Sequence, residues 1–285
     1  MNTILLTGLA LLAFAGNSVL CRLALAEGAI DAASFTWIRL LTGALVLSVL
    51  ARFSGFNSQQ IPRKVNWYAA SMLFIYAIAF SYAYVSLDTG TGALILFGTV
   101  QVTMIFLGVR AGDRLDAYQW LGVALALTGL TVLLLPGASV PSFVGFILML
   151  AAGLAWGLYS LAGKRSRTPL FDTASNFYGT VPLALMLLII TVGHSTISLN
   201  GLVLAILSGG LTSGIGYAIW YKALEGLSAA QAAVSQLFVP LIAALGGVMF
   251  AGEVVGLPLV IPTLLIMSGV LLVILTPKLT EKEQV

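Results

Sequence analysis

Charged side chains are scarce in this sequence, where Asp, Glu, Lys and Arg together make up only 8% of 285 residues. A soluble domain of ordinary composition is about 25% charged. A chain with so few charges cannot cover a water-facing surface, so its composition excludes a soluble enzyme and a disordered protein. The formal charge of +3 is spread without a basic face, which excludes a nucleic-acid-binding protein.

Cysteine and histidine each occur once, as Cys21 and His194. One cysteine excludes a disulfide framework and a cysteine-based metal site. The histidine lies in a predicted loop, so it has no neighbouring ligand within a span. We therefore expect neither a metal nor a cofactor.

Long apolar runs fill most of the chain, which is 60% hydrophobic before its glycines are counted. A membrane-spanning helix needs about 20 predominantly apolar residues. The runs are continuous, without the alternating polarity of barrel strands, so we interpret them as helices. The sequence thus predicts an all-α integral membrane protein with ten transmembrane helices, at roughly 3–26, 32–52, 66–86, 91–109, 117–135, 142–163, 173–192, 201–223, 229–249 and 258–276.

The positive charges are distributed unevenly between the two sides of the predicted membrane. The last residues of even-numbered spans and the segments that follow them, together with the C-terminal tail, contain 11 of the 13 Lys and Arg residues. The other two, Arg22 and Arg39, fall inside predicted spans. Because loops rich in Lys and Arg stay in the cytoplasm, we expect both termini to be cytoplasmic.

An internal repeat emerges when the chain is shifted by 140 residues against itself. The shift places Gly112-Asp113 on Gly252-Glu253 and Gly129 on Gly269. The spans divide five and five, and an odd number of spans forces the second half to enter the membrane from the opposite side. The sequence predicts two inverted repeats, 1–137 and 138–285, around a central cavity. Alternating access is the function that suits this architecture, although an inverted duplication can also serve only as a scaffold.

These features resemble the drug/metabolite transporter superfamily, whose EamA-type members contain two five-helix repeats. The resemblance rests on Arg39, Gly112-Asp113-Arg114-Leu115, Gln119, Gly122, Gly129, Ala155-Trp156-Gly157 against Ala15-Gly16-Asn17, and Gly252-Glu253 with Gly269. Within the superfamily the chain looks most like bacterial YddG-type aromatic amino-acid exporters. The resemblance implies a transporter of small molecules in the bacterial inner membrane, not an enzyme. We expect a monomer in the lipid bilayer with no nucleic-acid partner.

The candidate substrate-binding residues are polar and aromatic side chains inside the predicted spans, because a polar group in hydrocarbon is costly. They are Asn17, Arg39, Tyr76, Phe80, Phe97, Gln101, Trp156, Tyr159, Tyr217 and Gln236. Each has a structural alternative. The amides can bond a neighbouring helix and the aromatics can serve packing or lipid contact. Arg39 can meet a substrate carboxylate or form a salt bridge with Glu27, Asp31 or Asp88.

All ten carboxylates lie in predicted loops or at helix ends. Proton-coupled carriers use buried acids or histidine, so we infer that no carboxylate relay operates and that transport is facilitated diffusion. A cavity of amides and aromatics suits amino acids, including aromatic and apolar ones, and we expect their export. The alternative is a multidrug or cationic-metabolite efflux carrier, which a buried carboxylate would favour. A channel and a membrane enzyme are further alternatives.

Overall fold

Helices make up nearly all of the computed structural model, which describes residues 2–53, 65–110, 115–133, 141–163, 168–227, 232, 235–254 and 256–275. In these segments ten helices follow one another: α1 Thr3–Leu25, α2 Ala32–Phe53, α3 Trp67–Tyr84, α4 Thr89–Arg110, α5 Ala117–Val132, α6 Phe143–Gly163, α7 Pro169–Thr191, α8 Leu199–Leu224, α9 Phe238–Ala251 and α10 Leu257–Leu275. The middle of α8, Ser208–Ile215, is a π-helix.

Eight of these helices are long and apolar enough to cross a membrane, and the shorter α5 and α9 are also apolar. The predicted all-α membrane fold is therefore confirmed, with small shifts in the helix bounds. Helix α7 begins at Pro169, before the predicted 173, because proline is favoured in the first turn, where its missing N–H costs nothing. The predicted span 229–249 lies partly outside the described residues.

The helices pack in a pattern that repeats between the two halves. Helix α2 packs against α7, α4 against α9, and α5 against α10, so each of these pairs joins two helices five places apart. Helix α1 packs against α8 and α9 in the way that α6 packs against α3 and α4. The packing is thus preserved when every helix is replaced by the one five places along the chain.

The loops that follow odd-numbered helices meet at one face, which we call the Glu253 face. Ile30, after α1, forms an isolated β-bridge with Ile197, after α7. The Ser86 hydroxyl, after α3, lies 2.6 Å from the Ser142 hydroxyl, before α6. Successive helices therefore cross the molecule in alternating directions.

The opposite face contains the start of α1, where Thr3 lies beside Gly226 after α8. We call it the Lys222 face, after the cation in the last turn of α8. Helix α1 begins at the Lys222 face, whereas its equivalent α6 begins at the Glu253 face beside Ser142. The second half is thus inverted relative to the first. The predicted boundary between 1–137 and 138–285 lies outside the described residues and stays a prediction.

Glycines bring α5 and α10 into close contact. A Cβ atom added to Gly122 would lie 2.5 Å from the Gly269 carbonyl oxygen, and one added to Gly269 would lie 2.7 Å from the Ala126 nitrogen. Such small residues let helix backbones approach closely in a membrane, where packing drives association. Two residues that carry the family resemblance therefore serve the scaffold, while Gly112-Asp113-Arg114 lies outside the described residues.

Enlarging Gly122 tests this close approach. We expect Gly122→Leu to lower the thermal stability of the detergent-solubilised protein, since overpacking a tight contact costs about 1–3 kcal/mol. The matched control is Gly8→Leu, because no atom lies within 4 Å of a Cβ added at exposed Gly8. The change is measured as the midpoint of thermal unfolding. Equal midpoints for the two variants would contradict the proposed α5–α10 contact.

Candidate functional site

A cavity of about 360 Å³ lies between the two halves. Its wall is formed by residues of α1, α3, α4, α6 and α8, together with the first residue of α7 and residues that precede α9. The volume is within the range of about 300–1,000 Å³ typical of ligand pockets. The wall reaches the Lys222 face at Gly163, Pro169 and Leu224, so one end of the cavity is at the surface of the protein.

Nine of the ten candidate residues from the sequence line this cavity. They are Asn17, Tyr76, Phe80, Phe97, Gln101, Trp156, Tyr159, Tyr217 and Gln236. The structure therefore brings them together, and their part in binding a substrate stays a prediction. Arg39 is the exception, because it lies behind the wall.

Trp156 occupies the centre of the aromatic part of the wall. Its ring centroid lies 4.8 Å from that of Tyr76, 5.3 Å from Tyr217 and 5.4 Å from Tyr159. Phe80 extends the series, 5.3 Å from Tyr76. Aromatic rings at these separations attract each other beyond their burial alone. Helices α3, α6 and α8 thus share one continuous aromatic surface.

Three aromatic side chains of the wall, Phe14, Trp220 and Tyr221, were not among the candidates from the sequence, and the first two form a pair. They lie against each other, with ring centroids 5.6 Å apart. Phe14 precedes Asn17 by three residues and Trp220 follows Tyr217 by three. Residues three apart share a helix face, so this spacing could have identified both. Restricting candidates to the middle of the spans excluded them, because the cavity extends toward the Lys222 face.

Asn17 joins three helices at the inner end of the cavity. Its Oδ1 accepts hydrogen bonds from the hydroxyls of Ser208, at 2.7 Å, and Thr212, at 3.3 Å. Its Nδ2 donates to the Tyr76 hydroxyl at 3.5 Å. The two interpretations of this amide are therefore compatible, since Asn17 both lines the cavity and links neighbouring helices.

Arg39 is almost completely buried, at 2% exposure, directly behind two residues of the wall. Its Nη2 donates to the Tyr76 hydroxyl at 3.1 Å, and its Nε donates to the Ser213 hydroxyl at 3.4 Å. The guanidinium carbon also lies 5.2 Å from the Tyr76 ring centroid and 5.0 Å from that of Phe80, which are cation–π distances. Its Nη1 has no hydrogen-bond partner among the described residues.

The alternative expectation for Arg39, a salt bridge to Glu27, Asp31 or Asp88, is wrong. Asp88 pairs with Arg22 instead, at 3.1 Å. The Asp31 carboxylate accepts hydrogen bonds from the backbone amides of Ser34 and Thr196, each at 2.9 Å. Burial acts to raise the pKa of Asp31, but hydrogen bonds to its carboxylate outweigh burial and hold the pKa below its usual value. Both acids therefore have other partners.

The Glu253 face is closed by residues of both halves, which we call the Arg22 cluster: Arg22, Asp88, Thr89 and Glu253. Arg22 Nε lies 3.2 Å from Glu253 Oε1. Glu253 also accepts a hydrogen bond from the Thr89 amide at 2.8 Å and one from the Thr89 hydroxyl at 2.9 Å. Gly252 directs the chain into this contact with a φ of +64°, a conformation that glycine adopts without strain. The cavity is thus closed toward this face.

Uncharged side chains make up the described part of the cavity wall. Hydroxyls, amides and aromatic rings supply its polarity, and the Arg39 guanidinium contacts Tyr76 and Phe80 from behind the wall. Such a site can bind a small organic molecule through hydrogen bonds, stacking and one buried positive charge.

Comparison with known proteins gives this cavity a functional context. The chain is 51% identical to an uncharacterised protein of Pseudomonas aeruginosa, over 98% of this chain and 96% of that one. It is 26% identical to a probable terminal-alkyne amino-acid exporter of Streptantibioticus cattleyicolor, over 65% of this chain and 64% of that one. A crystal structure 17% identical in sequence shares the fold with a TM-score of 0.66, covering 95% of this chain and 96% of the other.

The family comparison matches the chain twice, over residues 1–135 and 143–275, each time with the EamA-like transporter family. The two matches together span nearly the whole chain, and relatives carry transporter names. The chain belongs to the EamA-like transporter family of the drug/metabolite transporter superfamily, and it is a multi-pass membrane transporter of small molecules.

Proposed function

We propose that this protein is an alternating-access carrier that exports amino acids, including aromatic and apolar ones, across the bacterial inner membrane. The observation that carries the proposal is the cavity itself, which is rich in aromatic rings and amides and lies between two inverted halves. The cavity reaches one face while the Arg22 cluster closes the other. Carriers with inverted repeats place their binding sites at such a junction.

The composition of the wall favours a zwitterion over other small molecules. A sugar phosphate or nucleotide sugar needs several cations to neutralise phosphate, and the described wall contains none. A cationic substrate is best bound by a buried carboxylate, which the described wall lacks. The distant relative named as a probable amino-acid exporter supports the same substrate class.

We also propose that the Lys222 face is cytoplasmic. Among the described cations, Arg52 and Arg110 lie in the last turns of α2 and α4, at the same face as Lys222. The other loop and tail cations lie outside the described residues, and in the sequence all of them follow even-numbered helices. Because Lys and Arg accumulate in cytoplasmic loops, the cavity is then accessible from the cytoplasm, as export requires.

Cysteine labelling tests the orientation. In spheroplasts treated with a membrane-impermeant maleimide, we expect His194→Cys to be labelled and Lys222→Cys to be labelled only after permeabilisation. The background is low because the native Cys21 is completely buried. Lys222→Cys should fold normally, since its exposed ion pair with Glu225 contributes little stability. The reverse labelling pattern would invert the proposed topology.

Counterflow tests the transport activity. Proteoliposomes loaded with an unlabelled amino acid should take up and transiently accumulate the same amino acid in labelled form, because a carrier exchanges bound substrate across the membrane. The panel includes aromatic, apolar and charged amino acids and quaternary amines, and protein-free liposomes are the control. Exchange of quaternary amines without any amino acid would favour the alternative of a cationic-metabolite carrier.

Substitutions in the wall test the cavity assignment. Trp156→Ala should raise the half-saturation constant for aromatic amino acids about tenfold, because it removes the central ring of the aromatic surface. Gln101→Ala should change the order of preference within the panel. The matched control is Trp120→Ala, whose side chain is exposed on α5. The assignment is wrong if both cavity variants transport like the control.

A further inference from the structure

We propose that the substrate is held by its carboxylate, and that the Tyr76 hydroxyl, supported from behind by Arg39, is the group that contacts it. This inference rests on the proposed transport of amino acids and assigns the end of the substrate that the protein recognises. It makes Tyr76 a specificity-determining residue and Arg39 a positioning residue.

The Tyr76 hydroxyl is oriented by its neighbours to donate a hydrogen bond. Its oxygen accepts from Arg39 Nη2 at 3.1 Å and from Asn17 Nδ2 at 3.5 Å. A phenolic hydroxyl has one hydrogen to donate, and none of the described residues accepts it. Tyr76 lines the cavity, so a bound molecule can supply the missing acceptor.

The positive charge of Arg39, behind Tyr76, favours a negatively charged acceptor in the substrate. Arg39 is buried without an ionic partner among the described residues, and its Nη1 has no hydrogen-bond partner there. An uncompensated buried charge is costly, and a nearby opposite charge reduces that cost. A hydroxyl that accepts from a cation is also polarised into a stronger donor. A negatively charged oxygen of the substrate satisfies both groups at once.

The neighbouring acceptor is already occupied. Asn17 Oδ1, which could otherwise attract a substrate ammonium, accepts from the Ser208 hydroxyl at 2.7 Å, and the Thr212 hydroxyl, which also donates to the Ser208 carbonyl, lies 3.3 Å away. The described polar atoms around Tyr76 therefore present donors and positive charge to the cavity. Donors suit a carboxylate, whereas an ammonium group needs acceptors.

The same geometry orients the rest of the substrate. Trp156 lies 4.8 Å from Tyr76 by ring centroids and continues the aromatic surface toward Tyr217. A carboxylate at Tyr76 thus places an apolar or aromatic side chain beside Trp156. Stacking and the carboxylate contact then act on opposite ends of one molecule.

The decisive experiment compares L-phenylalanine with phenethylamine, which has the same ring and amine but lacks the carboxylate. Both are measured by counterflow in the same proteoliposomes, as the ratio of their half-saturation constants. We expect the unsubstituted protein to prefer L-phenylalanine by at least about tenfold, corresponding to about 1.4 kcal/mol. Tyr76→Phe should abolish most of this preference by raising the half-saturation constant of L-phenylalanine. The half-saturation constant of phenethylamine should change by no more than about twofold.

Control variants separate recognition from folding. Tyr82→Phe removes a hydroxyl from an exposed position of the same helix and should leave the ratio unchanged. Arg39→Lys retains the charge and should keep part of the preference, whereas Arg39→Gln should lose it. Thermal unfolding midpoints of all variants show whether a change in transport comes from lost stability, which would lower transport of both compounds together.

The outcomes distinguish this inference from the proposed function. If neither compound nor any other amino acid exchanges, the proposed function fails. If L-phenylalanine exchanges but phenethylamine is taken up equally well, only the carboxylate contact is overturned. The contact is also overturned if Tyr76→Phe keeps the preference of the unsubstituted protein.

Discussion

A polar group inside a bilayer must find its partner within the protein, because hydrocarbon offers none. The centre of this molecule is organised by that constraint. Arg39 on α2 donates to Tyr76 on α3 and to Ser213 on α8, and Asn17 on α1 accepts from Ser208 on α8. Four helices from both halves are therefore joined by a few hydrogen bonds at the inner end of the cavity. The aromatic surface around Trp156 surrounds this polar centre.

Several residues that carry the family resemblance belong to the scaffold and not to the cavity wall, so these residues say little about the substrate. Gln119 completes a capping box with Asp116 at the start of α5. Gly122 and Gly269 let α5 and α10 approach, far from the cavity wall. By contrast, Tyr217 and Gln101, which carry no part of that resemblance, line the cavity. Residues that define the fold can thus be retained while the wall changes to suit another substrate.

Much of the fold could be predicted from the sequence, because long apolar runs and the positions of Lys and Arg follow directly from the bilayer. Nine residues of the cavity wall could be predicted for a related reason, since amides such as Gln101 are too costly to face lipid. The hydrogen-bond partners of Arg39 could not be predicted, because their identity depends on which helices are neighbours in space. Nothing in the sequence analysis indicated the π-helix at Ser208–Ile215, which positions Ser208 and Ser213 toward Asn17 and Arg39.

The contact between Glu253 and α4 makes the separation of the two halves depend on water. The carboxylate of the second half accepts the amide hydrogen of Thr89, the first residue of α4, and pairs with Arg22 of α1. Separating the halves at this face leaves a helix amide, a hydroxyl and a guanidinium without their acceptor. Water molecules must then accept these hydrogen bonds instead. In the alternating-access cycle proposed above, opening at this face would therefore take up water molecules. Its equilibrium depends on water activity, so that excluded osmolytes favour the closed form.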